Sequence, residues 1–218
     1  MTSPCVTENC VVSSMCKLSV LIPVYNQEDL VIKALENLPR RNDIEVLVND
    51  DGSNDATLNR LKAYRDEHPE LNMVVYTNGF NRGVAYTKNR LLDAAKGEYF
   101  HIHDSDDYVY RENYNSLIDQ LDGADIYCMD LVVNDGKTLE LTEQTKKLYC
   151  AQIARIIRRE FANGIQFPED VRAGDDWFFA NALLERNPVT VYTGIPAYHY
   201  NFPREGSLCD LRLKGILP

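Results

Sequence analysis

The sequence contains no run of about 18 apolar residues, so it predicts no transmembrane helix. Residues 1–16 also lack a basic start followed by a long apolar stretch, which a secretory signal would need. We therefore expect a cytoplasmic protein without stable membrane insertion, preceded by a flexible tail over residues 1–16.

None of the six cysteines belongs to a C-x-x-C pair, which argues against the common zinc and redox motifs. Cys5, Cys10 and Cys16 are spaced by five and six residues, and this spacing fits no zinc pattern well. In a chain expected in the cytoplasm, free thiols are a better interpretation than a disulfide framework.

Basic residues are in the minority, with 23 Lys and Arg against 33 Asp and Glu and a formal net charge of -10. An acidic surface repels nucleic acid and anionic lipid, so neither is the default partner, although a local basic patch can override the total. The sequence also has no glycine- and lysine-rich phosphate loop, which argues against a nucleotidyltransferase.

What the sequence does contain is an ordinary globular composition, 44% hydrophobic over 218 residues, and alternating strand and helix patterns. Strands are predicted over 18–22, 44–48, 73–76, 98–103 and 126–133. Helices are predicted between them, over 27–38, from 53 or 54 to 67, over 84–96 and over 110–121. This order predicts an α/β domain with a mostly parallel central sheet and helices on both faces. The remainder is less regular, with helices near 151–162 and 175–186 and a strand over 189–193.

Polar clusters follow three of the predicted strands. They are Pro23-Val-Tyr-Asn26, Asp50-Asp51-Gly52-Ser53 and Asp104-Ser105-Asp106. Ligands of open parallel sheets bind outside the carboxyl ends of the strands. We therefore expect these three clusters to form one site at one edge of the sheet.

Three carboxylates lie within four residues at Asp104, Asp106 and Asp107. Like charges this close repel one another, and a divalent cation removes that repulsion. Carboxylate oxygens are the ligands that Mg²⁺ and Mn²⁺ prefer. The segment predicts a metal site, with a solvated acidic turn as the alternative.

Two further segments of the N-terminal half carry donor-binding candidates. Asp51 is placed to accept hydrogen bonds from a base or a ribose, while Ser53 or Asn54 caps the next helix. Arg82 precedes another helix and is either a partner for a diphosphate or an exposed surface arginine.

The C-terminal part adds three candidates. Asp175 and Asp176 open a helix, where the helix dipole alone favours acids, and where a general base could also stand. Trp177, the only tryptophan, either stacks on a sugar or packs in the core, and we expect the core. His199 is either a metal ligand or a structural histidine, and His103 is a weaker candidate ligand.

Taken together, these motifs resemble the family 2 glycosyltransferases of the GT-A fold. The similarity is densest in five segments, which are Ser19–Asn26, Val48–Ser53, Asn81–Gly83, Lys96–Tyr99 and Asp104–Asp107. A thinner similarity continues through the C-terminal part, at Phe167-Pro168, Asp175-Asp176, Tyr198-His199-Tyr200, Arg204 and Ser207.

The resemblance implies a single Rossmann-like GT-A domain over residues 17–218. Residues 17–109 would be its nucleotide-sugar-binding half and residues 110–218 its acceptor-binding half. It implies inverting transfer from a nucleoside-diphosphate sugar, most readily a UDP-sugar, with Mn²⁺ or Mg²⁺ as cofactor. The implied acceptor is a hydroxyl of an unknown glycan, of a lipid-linked glycan or of another molecule.

The resemblance also assigns residues. Pro23 and Tyr25 line the nucleoside pocket, Asp51 contacts the base, and Arg82 contacts the donor. Lys88 stands where the family often has an arginine, and the glycine that often follows in that helix is missing. Other positions of the expected donor site are Asn26, Ser53, Asp104 and Ser105.

For the chemistry, the resemblance assigns Asp104 and Asp106 to the D-x-D metal motif, with Asp106 as the direct ligand. Asp176 corresponds to the catalytic base, although Asp175 stands where the family often has Glu. Two other functions stay open at this point: glycosylation of a modified DNA base, and nucleotide-sugar binding without catalysis.

Overall fold

The first four long strands form the parallel half of one twisted sheet. The computed structural model describes residues 16–145, 152–171 and 174–205. In chain order, the first elements are β1 (Leu18–Val24), α1 (Val31–Glu36), β2 (Ile44–Asp50), α2 (Thr57–Glu67), β3 (Met73–Thr77), α3 (Val84–Ala94) and β4 (Tyr99–Ile102). The strands pair in parallel in the order β3-β2-β1-β4. All seven residues of β1 and of β2 are buried, as expected for parallel strands covered by helices.

The second half of the sheet is mixed. Its elements are β5 (Tyr108–Val109), α4 (Arg111–Asp119), β6 (Ile126–Val133), β7 (Thr138–Leu139), a 3₁₀ turn (Gln152–Ala154), β8 (Arg155–Arg158), α5 (Asp175–Glu185) and β9 (Thr190–Tyr200). The order continues as β4-β8-β6-β9-β5, with β7 on the side of β6. Strand β8 is antiparallel to both neighbours, and β9 is parallel to β6. The predicted α/β class is confirmed, and the antiparallel strands are an addition that the sequence did not predict.

One predicted helix, near 151–162, is wrong. Over the described part of this range the chain forms the 3₁₀ turn and then β8, in which Ile156 and Ile157 are buried. Ile157 pairs with Phe100 of β4 on one side and with Ile126 of β6 on the other. Pairing with both β4 and β6 stabilises this short run of β-branched residues more than a separate helix would.

The predicted cap of α2 is also wrong. The helix begins at Thr57, and neither Ser53 nor Asn54 caps it with a side chain. Instead, the Ser53 hydroxyl accepts a hydrogen bond from the Asn26 backbone N–H at 2.9 Å. The Asn26 side chain accepts one from the Asn54 backbone N–H, also at 2.9 Å. These polar residues therefore join the loops after β1 and β2 to each other.

Some expectations concern residues that lie outside the described part of the chain, namely most of the 1–16 tail and Ser207. Within the described part, Cys16 and Cys128 are free thiols. None of the helices described there has the length and apolar character needed to cross a membrane.

Candidate active site

The ends of β1, β2 and β4 converge at one edge of the sheet, as the sequence predicts. Register places Val24 beside Asp50, and the Asp51 backbone N–H donates to the Val24 carbonyl at 2.8 Å. On the other side of β1, the His103 backbone N–H donates to the Leu21 carbonyl at 2.9 Å. Pro23 is buried within β1, whereas the Tyr25 side chain that follows is 39% exposed. The strand ends are therefore hydrogen-bonded to one another, and the Tyr25 side chain beyond them is accessible to solvent.

Asp51 organises the loop over residues 78–83. Its carboxylate accepts hydrogen bonds from the Asn78 side chain at 2.7 Å and from the backbone N–H groups of Arg82 and Gly83 at 2.8 and 2.9 Å. The residue is 3% exposed. The loop also passes close to Gly52, where a Cβ atom would lie 2.4 Å from the Phe80 backbone. The hydrogen bonds to Asp51 thus hold this loop against the end of β2, and the absence of a side chain at Gly52 allows the close approach.

Arg82 presents its guanidinium at the surface of that loop. It lies over the Tyr86 ring, 4.0 Å from the centroid, and 5.4 Å from the Phe80 ring centroid. Stacking on aromatic faces orients a guanidinium without consuming its hydrogen-bond donors. The group remains available to an anion.

Asp104, Asp106 and Asp107 bring one carboxylate oxygen each to within 4.8 Å of the others. Asp107 is buried and its two oxygens are occupied: Oδ2 accepts from the Tyr198 hydroxyl at 2.9 Å and Oδ1 from the Asn201 backbone N–H at 2.7 Å. Asp107 therefore anchors the end of β9. Asp106 forms an ion pair with Arg204 at 2.6 Å.

Asp104 lacks such compensation. Within the described ranges, no hydrogen-bond donor lies against its carboxylate. Burial, and the charges of Asp106, Asp176 and Asp175, raise the pKa of Asp104 to about 7, although Lys88 opposes the shift. A carboxyl group whose charge is disfavoured in this way is well suited to a cation. The donor set, all carboxylate oxygen, fits Mg²⁺ or Mn²⁺.

Lys88 joins the two halves of the site. Its Nζ lies 2.8 Å from Asp175 Oδ2 and 2.6 Å from Asp176 Oδ1. Burial alone would lower the pKa of Lys88, but the charges of Asp176, Asp175 and Asp104 outweigh it and raise that pKa. The side chain is 4% exposed, and its ammonium faces the two carboxylates.

His199 does not join the carboxylates, and the expectation of a metal ligand there needs correction. The His199 Nδ1 lies 3.1 Å from the Val132 carbonyl, and the ring packs on Tyr108 and Tyr110. Side chains alternate along a strand, and Tyr198 already points toward Asp107. His199 consequently faces the other side of β9. His103 is fully buried beneath the cluster, with Nδ1 2.8 Å from the Asp104 carbonyl.

The expectation that Trp177 packs in the core is wrong, since the residue is 52% exposed. It lies at the start of α5 beside Phe178, which is 47% exposed, with the two rings edge to face. The sequence alone did not indicate the roles of Asp107 and Arg204. Tyr198 and Arg204 both contact the acidic loop. In the sequence, the only indication of these two residues was the weaker C-terminal resemblance to the family.

Comparison with known proteins agrees with this geometry. The model of the family described as "Glycosyl transferase family 2" matches residues 19–186. Two similar curated proteins are the poly(ribitol-phosphate) beta-N-acetylglucosaminyltransferase TarS of Staphylococcus aureus and the poly(ribitol-phosphate) beta-glucosyltransferase of Bacillus spizizenii. Each is 29% identical, over 88% and 87% of this chain. The chain spans only 36% and 33% of their lengths.

Solved structures show the same fold. S. aureus TarS 1–349 in complex with UDP-GlcNAc has a TM-score of 0.71 at 25% identity, covering 88% of this chain and 60% of that one. A mannosyltransferase from Pyrobaculum calidifontis, solved with GDP-Man and Mn²⁺, has a TM-score of 0.69 at 20% identity, covering 87% and 58%. Because the family model matches well over half of the sequence, the chain belongs to glycosyl transferase family 2.

Proposed function

We propose that the protein is an inverting glycosyltransferase that moves a sugar from a UDP-sugar to an acceptor hydroxyl during glycan synthesis. One observation carries this proposal: the buried ammonium of Lys88 lies 2.8 Å from Asp175 and 2.6 Å from Asp176, and the charge of Asp104 acts on it as well. A carboxylate of the candidate cation site and a partly exposed carboxylate thus act on one ammonium. In the transfer of a sugar from a diphosphate, a cation can stabilise the leaving group and a carboxylate can accept the acceptor proton.

The donor proposal follows from the strand ends and from TarS, which was solved with UDP and with UDP-GlcNAc. We assign the nucleoside pocket to Pro23, Tyr25 and Asp51. A carboxylate can accept about four hydrogen bonds, and three already reach Asp51, so one position remains for the base. The hydrogen bond from the Asn26 backbone N–H to the Ser53 hydroxyl joins the two loops of this pocket, and the exposed Arg82 is assigned to the diphosphate.

We assign Asp104 and Asp106 to hold Mn²⁺ or Mg²⁺, with Ser105 between them. When bound, such a cation offsets the negative charge that develops on the leaving diphosphate. Asp107 supports the loop from below through Tyr198 and the Asn201 backbone. His199 is left out of this assignment.

Asp176 is the proposed base. Its side chain is 43% exposed, whereas that of Asp175 is 11% exposed, so Asp176 is the carboxylate of the pair that an acceptor can reach. In the proposed step the acceptor oxygen forms a bond to the anomeric carbon and passes its proton to Asp176. The bond between that carbon and the diphosphate oxygen breaks with its electron pair on the oxygen. Attack opposite the leaving group inverts the anomeric centre.

The acceptor proposal comes from the curated relatives, whose names specify poly(ribitol-phosphate). We propose a glycan or polyol-phosphate polymer that offers a free hydroxyl. UDP release from UDP-GlcNAc and UDP-glucose, with poly(ribitol phosphate) and Mn²⁺, tests the function. We expect release that depends on the polymer. Release that is absent with both donors, or unaffected by Asp176→Asn, would overturn the proposal.

A further inference from the structure

Lys88 occupies a position between the two proposed halves of the enzyme. It lies on α3, which belongs to the nucleotide-sugar half, and its ammonium reaches the first two residues of α5, 87 and 88 positions later in the chain. The ring of Phe167 lies 4.8 Å from Nζ on another side. No other lysine in the described ranges is buried to this degree.

A buried ammonium is costly unless its donors are paired. Lys88 has three N–H groups, of which one donates to Asp175 and one to Asp176. When Asp104 is ionised, its charge acts on the same ammonium without contacting it. The two hydrogen bonds therefore tie α3 to the start of α5 and hold the carboxylates of Asp175 and Asp176 beside the ammonium.

The two carboxylates of the pair differ in what else restrains them. Asp175 is nearly buried, so its surroundings hold it. Asp176 is more exposed, and its backbone carbonyl accepts a hydrogen bond from Gln152 Nε2 at 3.2 Å. Lys88 is the side chain that holds the Asp176 carboxylate itself, and it binds Oδ1. The partial exposure of the group leaves it accessible to an acceptor.

We propose that Lys88 is a positioning residue that holds the Asp176 carboxylate in register with the Asp104–Asp106 pair. The inference rests on the proposed function, in which Asp176 is the base. In this role the ammonium sets the distance between the group that accepts the proton and the groups that hold the donor. It acts through Asp176 and does not touch the donor.

The test compares turnover with donor binding. Lys88→Met keeps the length of the side chain and removes its charge. We expect turnover in the UDP-release assay to fall by about 10- to 100-fold, the scale of a misplaced catalytic group. We expect the UDP dissociation constant, measured by calorimetry, and the KM for the UDP-sugar to stay within about twofold, because a positioning role leaves donor binding intact.

A second comparison shows whether Lys88 acts through Asp176. In an Asp176→Asn background, adding Lys88→Met should lower turnover by less than about twofold, because residues that act as a unit are not additive. Should Lys88→Met alone be too unstable to study, Lys88→Met with Asp175→Asn removes one charge of each sign. That double variant should bind UDP and still turn over at least about tenfold more slowly than Asp175→Asn alone.

These measurements distinguish a failure of the proposed function from a failure of the proposed role of Lys88. If Asp176→Asn keeps full turnover, the proposed function fails and this inference fails with it. Suppose that Asp176→Asn is impaired, but that Lys88→Met turns over like the unsubstituted protein and the double variant turns over like Asp175→Asn. In that case only the proposed role of Lys88 is overturned. A loss of UDP affinity in proportion to turnover would also overturn it, because that result assigns Lys88 to donor binding.

Discussion

Arg204 forms an ion pair with Asp106 at 2.6 Å, so a side chain from beyond β9 neutralises the carboxylate assigned as the direct metal ligand. The two side chains are 26% and 20% exposed, which makes the contact partly buried. A cation that binds Asp106 must compete with this guanidinium or share the carboxylate with it.

Removing Arg204 should therefore strengthen metal binding in the absence of nucleotide. For Arg204→Ala we expect Mn²⁺ affinity to rise by up to about fivefold, which corresponds to the roughly 1 kcal/mol at the upper end for a partly exposed pair. Titration of Mn²⁺ by electron paramagnetic resonance measures it. Arg60→Ala, which breaks the exposed pair with Asp29, is the control and should leave the affinity unchanged. Unchanged affinity in Arg204→Ala would show that the pair and the metal do not compete.

UDP binding should depend on a divalent metal through Asp106. We expect calorimetry to give at least about tenfold tighter UDP binding with Mn²⁺ than with EDTA, since a bridging cation adds charge-assisted contacts to the diphosphate. Asp106→Ala should remove that difference. Asp135→Ala, at an exposed turn residue, is the matched control. Equal affinities with Mn²⁺ and EDTA in the unsubstituted protein would refute the metal assignment.

Gly52 should tolerate no side chain. It has φ of 73°, and an added Cβ would meet the Phe80 backbone at 2.4 Å. Gly52→Ala should cost more than the roughly 1–2 kcal/mol of the left-handed conformation alone, and it should weaken UDP binding because the 78–83 loop must move. Gly136→Ala is the control, because Gly136 has φ of 81° but open space around its Cβ position. Urea unfolding of both variants measures the difference, and equal costs would contradict the close approach.

Asp125 should stabilise the second half of the sheet in a pH-dependent way. Its carboxylate pairs with Arg158 and accepts the Val189 backbone N–H at 2.9 Å. Burial raises the pKa of Asp125, but the hydrogen bonds from Arg158 and Val189 outweigh it and lower that pKa overall. A lowered pKa contributes stability above the unfolded value of about 3.9, and this contribution is lost as the pH falls through the folded value.

The corresponding variant is Asp125→Asn, which keeps the shape and removes the charge. We expect it to lose about 1–3 kcal/mol of unfolding free energy at pH 7, the cost of a weakened charged hydrogen-bond set. The gap between it and the unsubstituted protein should narrow below about pH 4. Urea unfolding at the two pH values measures this, and a gap that is constant with pH would contradict the charge-based explanation.

The parts of the fold that could be predicted from the sequence are those with a local signal. Apolar runs ending in polar clusters gave β1, β2 and β4 and placed their ends together, because parallel neighbours share one edge. Strand β8 has no such signal. Its Ile156-Ile157 run is short, and only the gap between β4 and β6 decides that it is a strand.

The residues of the candidate site likewise differ in whether the local sequence indicates them. Asp104 and Asp106 could be selected locally, because their density in the sequence is itself the signal. The partners of Lys88 could not, because they lie 87 and 88 residues away and no local pattern joins them. The prediction of a metal ligand at His199 failed because its aromatic neighbours in sequence do not show which face of β9 it occupies. Alternation along the strand settles that only once Tyr198 is placed against Asp107.

The role of Asp176 as the base can be measured by comparing the turnover of Asp176→Asn and Asp175→Asn in the UDP-release assay. We expect Asp176→Asn to lower turnover by about 10²-fold or more, the scale of a lost general base, while UDP affinity stays near that of the unsubstituted protein. Asp175→Asn, which alters the less exposed carboxylate of the same pair, should be clearly milder. Full turnover in Asp176→Asn, or abolished turnover in Asp175→Asn with Asp176→Asn intact, would contradict it.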